Sequence, residues 1–153
     1  DWLLFLHADC RLPKNWVEII KQIINEPNSR RKVWFFDFKT DKKNIAFWIL
    51  ELAVSIRSSI LKEPYGDQGL LINKKVYKEL GGYKRMHIME DIDFINRIKK
   101  EFELKRIKAP LYSNSRKWRR INIIKRAIKN SIYKYRWRKG EDTKKLAKEY
   151  SKD

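Results

Sequence analysis

Asp1-Trp2-Leu3-Leu4-Phe5-Leu6-His7-Ala8-Asp9, "DWLLFLHAD", decides how this chain is read. Leu3 to Leu6 is a continuous apolar run, the pattern of a strand covered on both faces. A histidine and a carboxylate follow where that strand runs out. Working outward, Pro13 marks a turn and Asn15 can cap a helix. In it Trp16, Ile19, Ile20, Ile23 and Ile24 recur at helical spacing before "EPNS" ends it. Val33 to Phe38, "VWFFDF", is rich in β-branched and aromatic residues and predicts a second strand. Asn44 to Leu61 predicts a long helix whose outer positions carry Glu51, Arg57 and Lys62.

Glu63 to Gly69, "EPYGDQG", is a loop punctuated by proline and glycine, and Leu70 to Ile72 predicts a short buried strand. A short helix around Val76 to Leu80 is closed by Gly81-Gly82, glycine being the usual residue past a helix C-terminus. Met89-Glu90-Asp91 opens another helix with Ile92, Ile95 and Ile98 on its apolar face. Leu104 to Ala109 and Leu111 to Ser113 read as extended segments around Pro110. A basic amphipathic helix from Ile121 to Tyr135 and a last one from Thr143 to Tyr150 complete the chain, with no internal repeat. Strands alternating with helices predict an α/β fold with a largely parallel sheet. Such folds place their chemistry at the carboxyl ends of strands, where His7 and Asp9 stand.

Composition bounds the function. At 153 residues, with 42% apolar and 13% aromatic residues, the chain has enough to build a core and is not a disordered segment. The single cysteine, Cys10, excludes an intramolecular disulfide framework and fits a reducing, cytoplasmic setting. Ile45 to Ile56 is the stretch most like a membrane span, yet it has about half of the ~20 residues a bilayer requires and Glu51 interrupts it. The formal net charge is +18, and 14 Lys or Arg residues lie between Lys105 and Lys139 with no acid among them. A block of one sign favours a polyanionic neighbour: nucleic acid, an anionic lipid surface or a phosphorylated substrate.

Three short clusters could carry chemistry. On a strand, His7 and Asp9 would point to the same side and could approach one cation, although a turn cap explains them equally well. Glu90 and Asp91 stand at a helix start, where the dipole favours negative charge; an ionised aspartate beside a cleft can act as a general base. Plain N-terminal capping is the simpler reading of that pair. In Tyr65-Gly66-Asp67-Gln68-Gly69, two glycines allow close backbone approach to a ligand, or simply make a turn.

The order of "LHAD", "LPKNW", "PYGDQGLLI", "ELGGY", "MEDIDFINRI" and "SRKW" resembles family 2 glycosyltransferases of GT-A fold. It is most similar to the radical-SAM/selenodomain-associated transferase branch, over nearly the whole chain to "LAKEY". The resemblance implies a three-layer, Rossmann-like GT-A fold, incomplete at the N-terminus because the strands of the nucleotide-recognition half do not precede Asp1. Residues 1–120 would form the acceptor-side part of that domain. Residues 121–153 would be basic C-terminal helices packed on it or on a membrane surface.

The resemblance also implies metal-assisted, inverting transfer of a sugar from a nucleotide-sugar donor to an acceptor hydroxyl on a glycan or lipid-linked molecule. Asp9, with His7 in place of the family's first Asp, would hold Mn²⁺ or Mg²⁺. Asp91 would be the base, with Glu90 orienting it or the acceptor. Gly66, Asp67 and Gln68 would line the acceptor side. Asn114-Ser115-Arg116-Lys117-Trp118 falls where some members carry Gln-x-x-Arg-Trp, so that Arg116, Lys117 and Trp118 would contact substrate; Asn replaces Gln and Lys replaces Arg, and those two cations are not equivalent on a phosphate.

Two rival readings use the basic block. Tyr112, Trp118, Tyr133, Tyr135 and Trp137 interleave with its cations, as in modules that bind single-stranded nucleic acid, but neither an RNA-recognition signature nor zinc-finger spacing is present. Ile121, Ile124, Ile128 and Ile132 form one helical stripe bordered by Arg120, Lys125, Arg126 and Lys129. Such a stripe suits peripheral attachment to the inner face of a membrane, or packing on its own domain. A metal-dependent hydrolase using His7, Asp9 and His87 has no recognised ligand spacing behind it.

Overall fold

A computed structural model describes residues 1–115 and 123–151, with side chains in the second segment described from Lys125 onward. The fold is mixed α/β. Its elements are β1 (Trp2–Phe5), β2 (Cys10–Arg11), α1 (Trp16–Ile24), β3 (Lys32–Thr40), α2 (Ile45–Ser59), β4 (Leu70–Asn73), α3 (Lys74–Glu79), α4 (Glu90–Glu101), β5 (Glu103–Ser113), α5 (Ile123–Arg138) and α6 (Thr143–Tyr150). Short 3-10 turns at Ser29–Arg31 and Gly66–Gln68 join them. The extended segments flanking Pro110 merge into the single strand β5. Its register against β3 shifts between Phe36 and Asp37, so the proline, which lacks an N–H, sits where the ladder is already broken.

The sheet has five strands in the order β1-β4-β3-β5-β2. Only β3 and β5 run parallel; β1–β4, β3–β4 and β2–β5 are antiparallel. A largely parallel sheet is therefore not what forms. The helices between strands return the chain in both directions, and β4 enters between β1 and β3 against their sense.

Alternation along the central strands fills both faces. Val33 and Phe35 of β3, with Leu70 and Ile72 of β4, meet Val76 of α3 and Phe94, Ile95 and Ile98 of α4. Trp34, Phe36 and Leu71 point the other way, onto Ile23 of α1 and Ile107, Ala109 and Leu111 of β5. A period of two in apolar residues on both parities is what a doubly covered strand requires.

The helix α2 departs from its sequence reading. Glu51 and Arg57 are not outer residues. Glu51 accepts from the Thr40 backbone N–H (2.9 Å), the Thr40 hydroxyl (2.9 Å) and Lys39 Nζ (2.7 Å), fastening α2 to the end of β3. Phe47, Leu50 and Val54 close over Phe38 on the same side.

The C-terminal helices dock on the start of α4. Tyr133 of α5 and Leu146 of α6 share a buried cluster with Met89 and Ile92. Lys134 and Arg138 of α5 both reach Glu63, at 2.7 and 2.9 Å. Burial alone would push the Glu63 carboxyl up, but these two cations outweigh it and hold it below the ordinary carboxylate range. Arg136 bridges Glu141 and Glu149, locking α5 to α6.

Candidate functional site

Asp91 occupies the first turn of α4, one residue past Glu90. The preceding Met89 is buried and left-handed, at φ 71°, an uncommon conformation for a residue other than glycine. That turn redirects the chain so that Glu90 and Asp91 face a cavity of about 210 Å³ lined also by Phe5, Leu6, His7, Gly66, Leu70 and Tyr83. Asp91 Oδ2 accepts from the Gly66 N–H at 3.0 Å, and Oδ1 from the Ile92 N–H at 2.7 Å. The positive end of the helix dipole lies at the same place.

Gly66 is held by its whole loop. Arg57 donates from Nε to the Glu63 carbonyl (3.0 Å) and from a terminal nitrogen to Gln68 Oε1 (3.2 Å), and its guanidinium lies 3.4 Å from the Tyr65 ring centroid. Gln68 Nε2 in turn donates to the Phe36 carbonyl of β3 at 3.2 Å. A central strand thus fixes the loop, and the loop fixes Asp91. A Cβ at position 66 would stand 2.5 Å from His7 Nε2, so a larger residue there would have to displace the exposed imidazole. The imidazole therefore rests against the backbone that donates to Asp91.

The structure brings His7, Gly66, Glu90 and Asp91 together. It does not bring Asp9 with them. His7 and Asp9 lie between β1 and β2, in a turn closed by the Cys10 N–H donating to the His7 carbonyl at 3.1 Å, rather than on a strand. The same-side argument of a strand does not apply, and the two residues line different pockets. Asp9 faces a shallow one of about 140 Å³ with Arg11, Asp41, Tyr112, Ser113 and Asn114. Asp41 accepts from the Ser115 backbone N–H at 2.8 Å, and the Ser115 hydrogen bonds hold its carboxyl below the ordinary value.

Asp67 and Gln68 turn away from the Asp91 cavity. Gln68 is buried with both ends of its amide bonded inside the protein. Asp67 lies 3.9 Å from Arg57 and lines a separate cavity between α2 and α5. Arg116, Lys117 and Trp118 lie outside the described residues. His87 does not line the Asp91 cavity. Among the described residues no group of three or more His, Cys, Asp or Glu side chains is gathered as a metal site, and His7 and Asp9 line different pockets.

Sequence reasoning missed Tyr83 and Arg57. Tyr83 forms the cavity floor, packed among Phe5, Tyr77 and Phe94. Burial, then the charges of Asp91 and Glu90, push its hydroxyl well above the ordinary tyrosine value, so it stays protonated as a potential donor. Its signal was the Gly81-Gly82 pair. Both are at positive φ, and a Cβ on Gly82 would stand 2.7 Å from the Tyr77 ring, so the glycines let the chain fold back and deliver Tyr83 beneath Asp91. Arg57 carried no local signal, because its partners are a loop carbonyl and a glutamine beyond its helix.

No known family model, curated protein or solved structure matches this chain.

Proposed function

We propose that this chain carries the acceptor-activating part of a glycosyltransferase that uses a nucleotide-sugar donor, with Asp91 as the base. The observation that supports it is the setting of Asp91. Its carboxylate is fixed by two backbone N–H donors at a helix start, and it opens into a cavity with His7, Glu90 and Tyr83. The motif order of the sequence supplies the reaction class. A mixed sheet with apolar residues filling both faces supports the finer reading as a three-layer GT-A fold.

In this reading Asp91 takes the proton of an acceptor hydroxyl as its oxygen bonds to the anomeric carbon. The bond from that carbon to the donor diphosphate breaks, and the diphosphate leaves with the electron pair. Glu90 and the protonated Tyr83 orient the acceptor from the cavity wall. Gly66 and Ile92 each donate to one Asp91 oxygen, which fixes the orientation of the carboxylate. Asp9 and His7, which the resemblance would pair on Mn²⁺ or Mg²⁺, line separate pockets rather than one.

The test is nucleotide release from a panel of UDP- and GDP-sugars with Mn²⁺, together with the thermal melt. The chain is expected to release nucleotide, and UDP or GDP to raise its melting temperature. Asp91→Asn is expected to lower turnover by about 10²–10⁴-fold with the melt unchanged. Normal turnover in that variant removes the base assignment, and a melt blind to both nucleotides with no release from any donor removes the reading that this chain by itself carries a usable donor site.

The nucleic-acid reading keeps little support. Of the interleaved aromatics, Tyr133 is buried, Tyr112 and Trp137 are half-buried, Trp118 lies outside the described residues, and Tyr135 alone of the described four stands exposed.

A further inference from the structure

We propose that α2 and α5 together form a docking surface for an anionic lipid bilayer. The proposal goes beyond the transfer reaction and does not depend on it. Helix α2 buries Phe47, Leu50 and Val54 and yet carries a second apolar face outside. Its two charged side chains, Glu51 and Arg57, face the protein, while Ile45, Trp48, Ile49, Leu52 and Ile56 face solvent. Each member has others three, four or seven residues away (Ile45, Trp48, Leu52 and Ile45, Ile49, Leu52, Ile56), so they form one ridge along one helix face. Trp48 is 61% exposed, in the middle of the ridge.

Helix α5 carries a second ridge. Ile128 is 55% exposed, and Ile132 and Tyr135 are exposed beside it. The alternative that this stripe packs on its own domain fails for Ile128 and Ile132; Ile121 and the Ile124 side chain lie outside the description. The two helices are neighbours: they share one cavity of about 270 Å³, into which α2 places Ala53 and Val54 and α5 places Ala127 and Ser131. Glu63, gripped by Lys134 and Arg138, holds α5 in that position.

Charge selects the occupant. The sequence of α5 contains no acid, and the only acid of α2 is turned inward onto Thr40 and Lys39. The exposed Lys42, Lys43 and Lys62 bracket α2, and the exposed Lys125, Lys129 and Lys139 lie along α5 or just beyond it. A second copy would bring the same positive charge to the same face. Nucleic acid would take the cations and has Trp48 and Tyr135 to stack on, but it would leave Ile45, Ile49, Leu52 and Ile56 uncovered, since bases stack on aromatic rings and not on isoleucine or leucine. An anionic bilayer accepts both parts: apolar side chains enter the acyl boundary while lysines stay at the headgroups. No helix among the described residues is long and apolar enough to cross the membrane, so the surface would lie on it.

The test is co-sedimentation of the chain with phosphatidylcholine vesicles, with and without phosphatidylglycerol. Binding is expected with the anionic vesicles and little without them. Trp48→Glu combined with Ile128→Glu is expected to weaken it about tenfold or more at an unchanged melting temperature. Trp48→Ser, a milder change, serves if the double variant melts lower. Lys42→Ala with Lys43→Ala is expected to weaken it roughly fivefold per lysine.

Absence of vesicle binding overturns the proposal, as does binding that Trp48→Ser and the double variant leave untouched. A dimer in sedimentation that Trp48→Glu dissociates, without vesicle binding, assigns the face to a second copy instead. Oligonucleotide binding lost in the same variant, again without vesicle binding, assigns it to nucleic acid.

Discussion

Helix α4 is apolar on one face and buries it, whereas α2 is apolar on two faces and buries only one. The α4 helix buries Ile92, Phe94, Ile95 and Ile98 and gives Asp93 and Arg97 to each other at its edge. The α2 helix buries Phe47, Leu50 and Val54, tucks Glu51 and Arg57 against the protein and leaves a larger apolar ridge outside. Amphipathicity in a sequence therefore says that a helix has two faces. Which one meets the core depends on what the core offers. For α4 it is a sheet face lined by Phe35, Leu70 and Ile72; for α2 it is the polar end of β3, where the Thr40 N–H needs an acceptor.

The contrast can be broken at several points. Phe94→Ala has the largest expected effect. The ring is fully buried, with its centroid 4.7 Å from that of Tyr83 and 5.5 Å from that of Tyr77, and its loss is expected to cost about 3–5 kcal/mol in denaturant unfolding. Glu51→Ala comes next. It would strand the Thr40 N–H and hydroxyl and is expected to cost about 1–3 kcal/mol, whereas a glutamate on the solvent face would cost nearly nothing. A negligible change would return α2 to the ordinary orientation.

A pH series sharpens the same comparison. The Glu63 carboxyl is lowered in the fold by Lys134 and Arg138 against the cost of its burial. Its contribution is therefore fully present above the ordinary glutamate value of about 4.3 and is lost as pH falls through the lower folded value. The melting-temperature gap between the chain and Glu63→Gln is expected to be open at neutral pH and to close below about pH 4. A gap independent of pH would mean that the ion pairs do not hold α5. The smallest effect is expected from Leu52→Ser on the outer ridge, within about 0.5 kcal/mol of the parent in unfolding. A larger loss would mean that this ridge is packed in the folded protein.

The candidate site divides along similar lines. Asp91 and Glu90 were legible because a helix start is a local event, marked by acids ahead of an apolar period. The Gly66 turn was legible from its glycines. The roles within the loop were not, since Gln68 and Asp67 differ only in which way each side chain leaves the 3-10 turn. That turn buries the amide against Phe36 and sends the carboxylate to the α2–α5 side. Pairing His7 with Asp9 failed for a related reason. Two-residue spacing means a shared side only on a strand, and β1 ends at Phe5, before either residue.

Local pattern alone was enough for most elements, though not for the two-residue β2 or the fusion of two extended segments into β5: the strand at Trp2–Phe5, the aromatic β3, the α4 helix with Asp91 in its first turn, and a C-terminal part rich in cations. These depend on side-chain periodicity, glycine and proline positions and caps, all interactions within a few residues. Only the tertiary structure decided that the sheet is mixed, that Tyr83 lies under Asp91, that Arg57 and Glu51 face inward, and that two apolar ridges stay outside. Each of those outcomes rests on partners distant in sequence. A chain pattern fixes that a face is apolar or a carboxylate is free to bond, but the competition among faces for one limited core is settled only when they meet.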